Sequence, residues 1–249
     1  MYNLIADYHT HTRYSHGRGT ILENVEAARD KGLKTIAISD HGFNHIAFGL
    51  SLSNLKKMKK EIQSLNQRFS DIEILLGIEA NIISMDGEID IPDPYIDAFD
   101  IILMGYHKLV EPAGWSDFWN LFVRNGLDKL GLVKKDQVRQ ANTSAVVKAM
   151  ERYPISVLTH PGATIDIDTR ILAKAAVKHN VALEINASHG FMTVEYVRIA
   201  LEEGAFFSIN SDAHSPRNIG EFRRGIEIAK AAGVPSQRII NTEEYVSLK

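Results

Sequence analysis

The chain has no cysteine among its 249 residues. Disulfides, thiolate zinc sites and cysteine nucleophiles are thereby excluded together, and a reducing compartment is mildly favoured. No apolar run approaches the ~20 residues of a membrane span. The opening segment, Met1 to Asp7, has neither the basic start nor the apolar stretch of a secretory signal. The expectation is a cytoplasmic protein with no membrane partner. Excess charge is also missing: the formal net charge is −3, which argues against tight, nonspecific binding to nucleic acid. The hydrophobic share of 45% and charged share of 24% are ordinary for a globular chain. The length is enough for one large barrel or two small domains and for a core that needs no staples.

Apolar runs of strand length alternate with helical periodicity from end to end. Leu4–Tyr8, Lys34–Ser39, Ile72–Ile78, Asp100–Tyr106, Ile155–Thr159, Val181–Ile185 and Phe206–Asn210 read as seven strands. Helices are expected between them, including Ser53–Phe69, one beginning near Asn142, and a last one from Ile219 to Ala232. Asn81–Ile91 reads as a hairpin turned at Asp86-Gly87. Seven βα units without a linker predict one α/β domain over residues 1–249, a distorted seven-stranded barrel, with an open doubly wound sheet as the structural rival. A helical excursion at about residues 109–141 breaks the rhythm and carries both tryptophans, Trp115 and Trp119. It reads as a segment packed on the barrel, a lid, or a subunit contact that would make a homo-oligomer.

What the chain does have is histidine in a telling place. His9, His11 and His16 follow the first strand, His41 the second, His107 the fourth, His160 the fifth and His214 the seventh, seven of the ten histidines in all. Glu79 follows the third strand, and Asp212 joins His214. A parallel α/β barrel brings strand C-termini to one face, so these residues would converge. A ring of strand ends suits nine ligands better than the line an open sheet would offer. His9-x-His11 and Asp212-x-His214 place alternate side chains of extended segments on one side. Seven imidazoles and two carboxylates exceed a single tetrahedral zinc. They suit two or three divalent ions, and nitrogen-rich ligation favours Zn, Mn or Fe over Mg or Ca. Such a cluster activates water and clamps both oxygens of a phosphoryl transfer, so metal-assisted hydrolysis of a phosphate ester is the chemistry expected.

The strings His9-Thr-His-Thr12, Asp40-His-Gly42, Gly77-Ile-Glu-Ala-Asn81, Thr159-His-Pro-Gly162, Glu184-Ile-Asn186 and Ser211-Asp-Ala-His214 resemble the PHP (polymerase and histidinol phosphatase) superfamily. The likeness spans nearly the whole chain, in order, and is nearest to the stand-alone bacterial phosphoesterases. It implies a trinuclear centre. His9, His11, Glu79 and Asp212 would hold a first metal, Glu79 would bridge to a second held by His107 and His160, and His16, His41 and His214 would hold a third. The family's third histidine lies six residues beyond its second, whereas His16 lies five beyond His11, so that loop is one residue shorter. Glu79, Asp212 and His160 are the candidate catalytic residues, working through a metal-activated water.

Phosphate also needs cations and donors from the protein. Arg18, Lys108 and Arg217 lie beside ligand loops and are candidate substrate residues, as are His45 and His189. His179, at a helix C-terminus, reads as a surface residue. The leading expectation is a phosphomonoesterase acting on a small phosphorylated metabolite, with histidinol phosphate a candidate implied by the family. A phosphodiesterase or 3′–5′ exonuclease is the rival and would require a basic groove with stacking aromatics. A metal-binding regulatory module without turnover is a third reading, and a C–N amidohydrolase ranks below these.

Overall fold

The computed structural model describes residues 2–248. Seven parallel strands run in the order β1 to β7: Ala6–Asp7, Thr35–Ile38, Glu73–Asn81, Ile101–Gly105, Val157–Leu158, Ala182–Asn186 and Phe207–Asn210. Strand neighbours are also sequence neighbours, as a right-handed βα succession requires. Helices α1 (Ile21–Asp30), α2 (Leu52–Arg68), α5 (Lys135–Arg152), α6 (Thr169–His179), α7 (Val194–Glu202) and α8 (Arg223–Ala232) surround them. The distorted seven-stranded barrel expected from the sequence is the observed fold. No helix among the described residues is long and apolar enough to cross a membrane.

Local chemistry sets the helix ends. Thr20 caps α1 in a reciprocal box with Glu23, and Ser51, Asp168 and Thr193 cap α2, α6 and α7. Gly233 ends α8 at φ +77°, a conformation that a Cβ disfavours.

Side-chain alternation divides the barrel into two environments. Ile74, Leu76, Ile78 and Ala80 of β3 face outward and join the large core beneath the helices, with Ile36, Ile38, Ile102, Met104, Leu183 and Ile209. The inward positions form a smaller apolar cluster at the N-terminal half: Ala37, Ile101, Leu103, Val157 and Ala182, flanked by Tyr8, Leu75 and Phe206. Towards the strand C-termini the inward positions become polar, with Glu79 and Asn81 on β3, Glu184 and Asn186 on β6 and Asn210 on β7, all buried.

Seven strands leave a seam between β7 and β1, and polar side chains close it. Asn241 (Nδ2) donates to the carbonyls of Ala6 (2.8 Å) and Ile209 (2.7 Å), and its Oδ1 accepts from Ile209 N at 3.1 Å. Asp7 accepts from Ser211 N, Ser211 Oγ and Gly220 N at 3.1, 2.5 and 3.0 Å. A short parallel bridge between Thr10 and Ala213 completes the closure beside the strand ends.

Three boundaries differ from expectation. The last helix begins at Arg223, four residues late, because Pro216–Asn218 forms a 3-10 turn and Gly220 follows at φ +71°. The helix expected near Asn142 begins at Lys135, so the excursion ends earlier than residue 141. Glu79 lies inside β3 because that strand runs on to Asn81. The hairpin is present, with an Ile82–Ile89 bridge and Gly87 at φ +79°.

The excursion itself contains α3 (Trp115–Asp117), a π-helical stretch (Phe118–Val123) and α4 (Arg124–Lys129). It is anchored on the barrel by Leu121, which packs with Tyr106 and Ile165, and by a reciprocal amide pair between Asn125 and Asn142. The tryptophans stay outside, Trp115 being 87% exposed and Trp119 53%. None of its residues lines the cavity over the histidines. The segment packs on the barrel through these contacts and stands clear of the cavity wall.

Candidate metal centre

Nine side chains from six strand ends meet at the C-terminal mouth. Glu79 is the hub. Its carboxylate lies 3.3 Å from His9 Nε2, 3.6 Å from His11 Nε2, 3.1 Å from His41 Nδ1, 3.5 Å from His107 Nε2 and 2.9 Å from His160 Nε2. Asp212 Oδ1 is 3.5 Å from His9 Nε2 and 3.4 Å from His11 Nε2. His16 joins His11, His41 and His214, with ligand atoms all within 4.8 Å of one another. The same spacing relates His9, His11 and Asp212, then His9, Glu79 and His160, then His41, Glu79 and His107. The shorter loop does bring His16 into the cluster. Asp40 ties it down by accepting from Thr12 N, Thr12 Oγ1 and Ser15 Oγ at 2.7, 2.5 and 2.5 Å.

Backbone geometry is unusual here. His160 (φ +29°) and Asp212 (φ +52°) are two of the three non-glycine residues with positive φ among the described residues. Such conformations persist where the surroundings enforce them and concentrate at functional sites. Gly105 is required for a different reason. A Cβ there would lie 2.4 Å from Thr159 Oγ1, 3.0 Å from His160 Cε1 and 3.2 Å from Glu79 Oε1.

Electrostatics separates the imidazoles. Burial opposes the ionisation of Glu79 and Asp212, yet the surrounding histidines outweigh it and hold both carboxyls well below their usual range. Burial also opposes protonation of His9, but Glu79, Glu184 and Asp212 raise it well above its ordinary value. Burial dominates at His11, which falls well below, at His16, lowered to about 4, and at His107, lowered to about 3. Anionic carboxylates surrounded by mostly neutral imidazoles form a donor set ready for cations.

Several ring nitrogens and one carboxylate oxygen bear on that fit. His9 Nε2, both nitrogens of His11, His16 Nδ1, His41 Nδ1 and Glu79 Oε2 are buried and make no well-formed hydrogen bond within the protein. Unpaired buried polar atoms are expensive, so their gathering among the candidate ligand groups fits ligation by metal.

The candidate substrate residues divide. Lys108 and His189 line a cavity of about 340 Å3 above the cluster, together with Tyr106, Thr164 and Phe191. His189 Nε2 is 3.2 Å from Asp212 Oδ2. His45 is buried behind His41, with ring centroids 4.8 Å apart, and is not in the cavity wall. Arg18 and Arg217 are exposed and also outside that wall. His179 lies far off, on the end of α6, 3.7 Å from Glu151.

Glu184 is the residue that sequence reasoning left without a role. It is fully buried, accepts from His9 Nδ1 at 2.8 Å and from His160 N at 2.7 Å, and is held by the amides of Asn186 and Asn210, each at 3.0 Å. A carboxylate behind a ligating histidine fixes its tautomer and orientation. The visible signal is a glutamate at an inward position of the strand Ala182–Asn186, between Leu183 and Ile185.

A family model for the PHP domain matches residues 7–188. The chain belongs to the PHP domain family. A probable phosphatase of Shewanella frigidimarina (strain NCIMB 400) is 30% identical over 256 residues, covering 95% of this chain and 88% of the relative. The probable phosphatase PMI1003 of Proteus mirabilis (strain HI4320) is 31% identical over 249 residues, with 95% and 89% covered. Among solved structures, histidinol phosphate phosphatase from Lactococcus lactis, complexed with zinc, L-histidinol and phosphate, aligns with a TM-score of 0.58 at 15% identity. That alignment covers 92% of this chain and 93% of the other, and at such identity it speaks to the PHP fold.

Proposed function

We propose that this PHP protein is a metal-dependent phosphoesterase that hydrolyses a small phosphomonoester. The observation that carries the reading is the set of buried, unpartnered nitrogen and oxygen atoms around Glu79. His9, His11, Glu79 and Asp212 would hold one divalent cation, Glu79, His107 and His160 a second, and His16, His41 and His214 a third. Zn, Mn and Fe suit these donors. Such cations supply Lewis acidity to the phosphoryl group and lower the pKa of the attacking water. The protein's own contribution is placement. Glu79 would serve two of these positions, Asp212 adds negative charge beside His9 and His11, and Glu184 holds His9 in register. Lys108 and His189 line the cavity from the loops after β4 and β6 and would bind phosphoryl oxygens. Arg18 and Arg217 serve phosphate only with an extended substrate or a moved loop.

The relatives named as phosphatases support this reading, and the Lactococcus lactis neighbour's complex with histidinol and phosphate makes histidinol phosphate one candidate substrate. The cavity volume of about 340 Å3 suits a small metabolite. An exonuclease would present stacking aromatics along a basic groove, whereas Trp115 and Trp119 lie outside the cavity wall. The test compares hydrolysis of a small phosphomonoester with that of a 5′-labelled single-stranded oligonucleotide, at low and moderate salt. Preference for the monoester is expected. Preference for the oligonucleotide, falling steeply with salt, would move the chain to the nuclease side.

A further inference from the structure

Asp90 belongs to none of the ligand-bearing loops. It follows the Ile82–Ile89 bridge in the hairpin after β3 and is 3% exposed. Its carboxylate is nevertheless fully engaged. Oδ1 accepts from Asn81 N at 2.7 Å, and Oδ2 accepts from Asn81 Nδ2 at 2.6 Å and from Asn44 N at 3.0 Å. Asn44 lies in the loop that carries His41 and His45. Gly42 in that loop makes room for the carboxylate, since a Cβ there would lie 2.1 Å from Oδ1. On its other side, Asn81 meets a proposed ligand: its Oδ1 is 2.6 Å from His107 Nδ1.

Donor and acceptor chemistry makes this chain directional. A carboxylate only accepts, so the Asn81 amide must turn its NH2 towards Asp90 and its oxygen towards His107. An amide oxygen also only accepts, so His107 must carry its proton on Nδ1. The lone pair is then on Nε2, the atom 3.5 Å from Glu79 Oε1. A ring with its proton on Nε2 would present N–H to the centre and could not ligate through that nitrogen.

We propose that Asp90 is a positioning residue that fixes the tautomer of His107 through Asn81, and so prepares the second proposed position, that of Glu79, His107 and His160. The inference rests on the metal-centre reading above, but its first readout needs neither metal nor substrate. Removing the charge without the shape is the sharp perturbation. In Asp90→Asn one end of the side chain becomes a donor, and it faces either Asn81 Nδ2 and Asn44 N or the Asn81 backbone N–H. Rotating the Asn81 amide relieves the first conflict and offers His107 a donor instead of an acceptor.

The experiment is long-range 1H–15N correlation of the histidine rings in the metal-free full chain, with His107 assigned by its loss in His107→Gln. Wild type should show Nδ1–H. Asp90→Asn should shift population to Nε2–H and weaken Mn binding by about 10–100-fold in a calorimetric titration. The double variant Asn81→Asp with Asp90→Asn restores an acceptor-only group beside His107, and should restore the Nδ1–H form and most of the affinity even though the bond to Asn44 stays lost. An Asp90→Asn protein that only melts earlier, with the His107 tautomer and Mn affinity unchanged, would overturn the proposal. Should that single variant not fold, a double variant that folds but holds His107 as Nε2–H would overturn it equally. A normal tautomer response in a protein without phosphatase activity would count against the proposed function and leave this inference standing.

Discussion

The two ends of the barrel interior are built by the same strands and the same alternation, yet they do opposite things. Leu75 and Glu79 are both inward on β3, four residues apart. At one end Ala37, Leu103, Val157 and Ala182 fill the space with apolar atoms. At the other, Glu79, Glu184, Asn186 and Asn210 are just as buried but polar. The apolar end contributes stability outright through removal of surface from water. The polar end gathers carboxylates at close range and leaves ring nitrogens unpaired, so its charge is balanced by protons or cations rather than by the protein. The barrel is thus a scaffold at its base and carries groups that could hold cations at its rim.

Substitutions at the two ends should separate these roles. The largest effect is expected at the hub. Glu79→Gln keeps the shape and removes the charge shared by five imidazoles, so metal content should fall and kcat/KM for a phosphomonoester should drop at least ~1,000-fold, about 4 kcal/mol. His179→Ala, at the remote end of α6, is the control, and equal effects of the two would break the comparison. At the base, Ile101→Ala should destabilise by about 3 kcal/mol in chemical denaturation while metal stoichiometry is retained. Metal loss tracking that substitution would show that the ends are not independent.

Smaller changes sharpen the picture. Glu184→Gln leaves every proposed ligand in place but weakens the acceptor behind His9. Metal affinity should fall about 10–100-fold with little change in fold, read by titration of the chelator-treated protein. The seam supplies a pH test. Burial raises the Asp7 carboxyl from its ordinary 3.8 to about 6, against hydrogen bonds from Ser211 and Gly220. The folded protein therefore takes up a proton before the unfolded chain does, and the resulting stabilisation is complete below pH 3.8 and lost as pH rises through 6. Wild type should gain on the order of 1 kcal/mol relative to Asp7→Asn between about pH 7 and pH 5. A constant difference across that range would show that Asp7 stays ionised at the seam.

Much of this was legible in the sequence because strand ends in a parallel barrel share a face. That rule alone brings His9, His41, His107 and His160 together from distant positions. Periodicity also located the seven strands, since apolar runs bounded by helical patterns leave few alternatives. It failed at boundaries set by local backbone: the 3-10 turn at Pro216 delays α8, and β3 carries its pairing through Glu79 to Asn81. The supporting shell was harder to read. Glu184, Asp90 and Asn81 are common residue types whose importance lies in which atom each one faces, and no spacing rule encodes that. The surface cations were hard to place for a related reason. Arg18 and Arg217 adjoin ligand loops in sequence, but adjacency does not decide on which side of a loop a long side chain emerges.

The central claim is that the polar end is completed by metal. It is tested most directly by removing all metal with chelator, dialysing, and following hydrolysis of an aryl phosphate as single metals are returned. The account expects no hydrolysis in the stripped protein, recovery with Mn or Zn well beyond that with Mg, and at least two equivalents bound per chain at full activity. Full activity in excess chelator would contradict it.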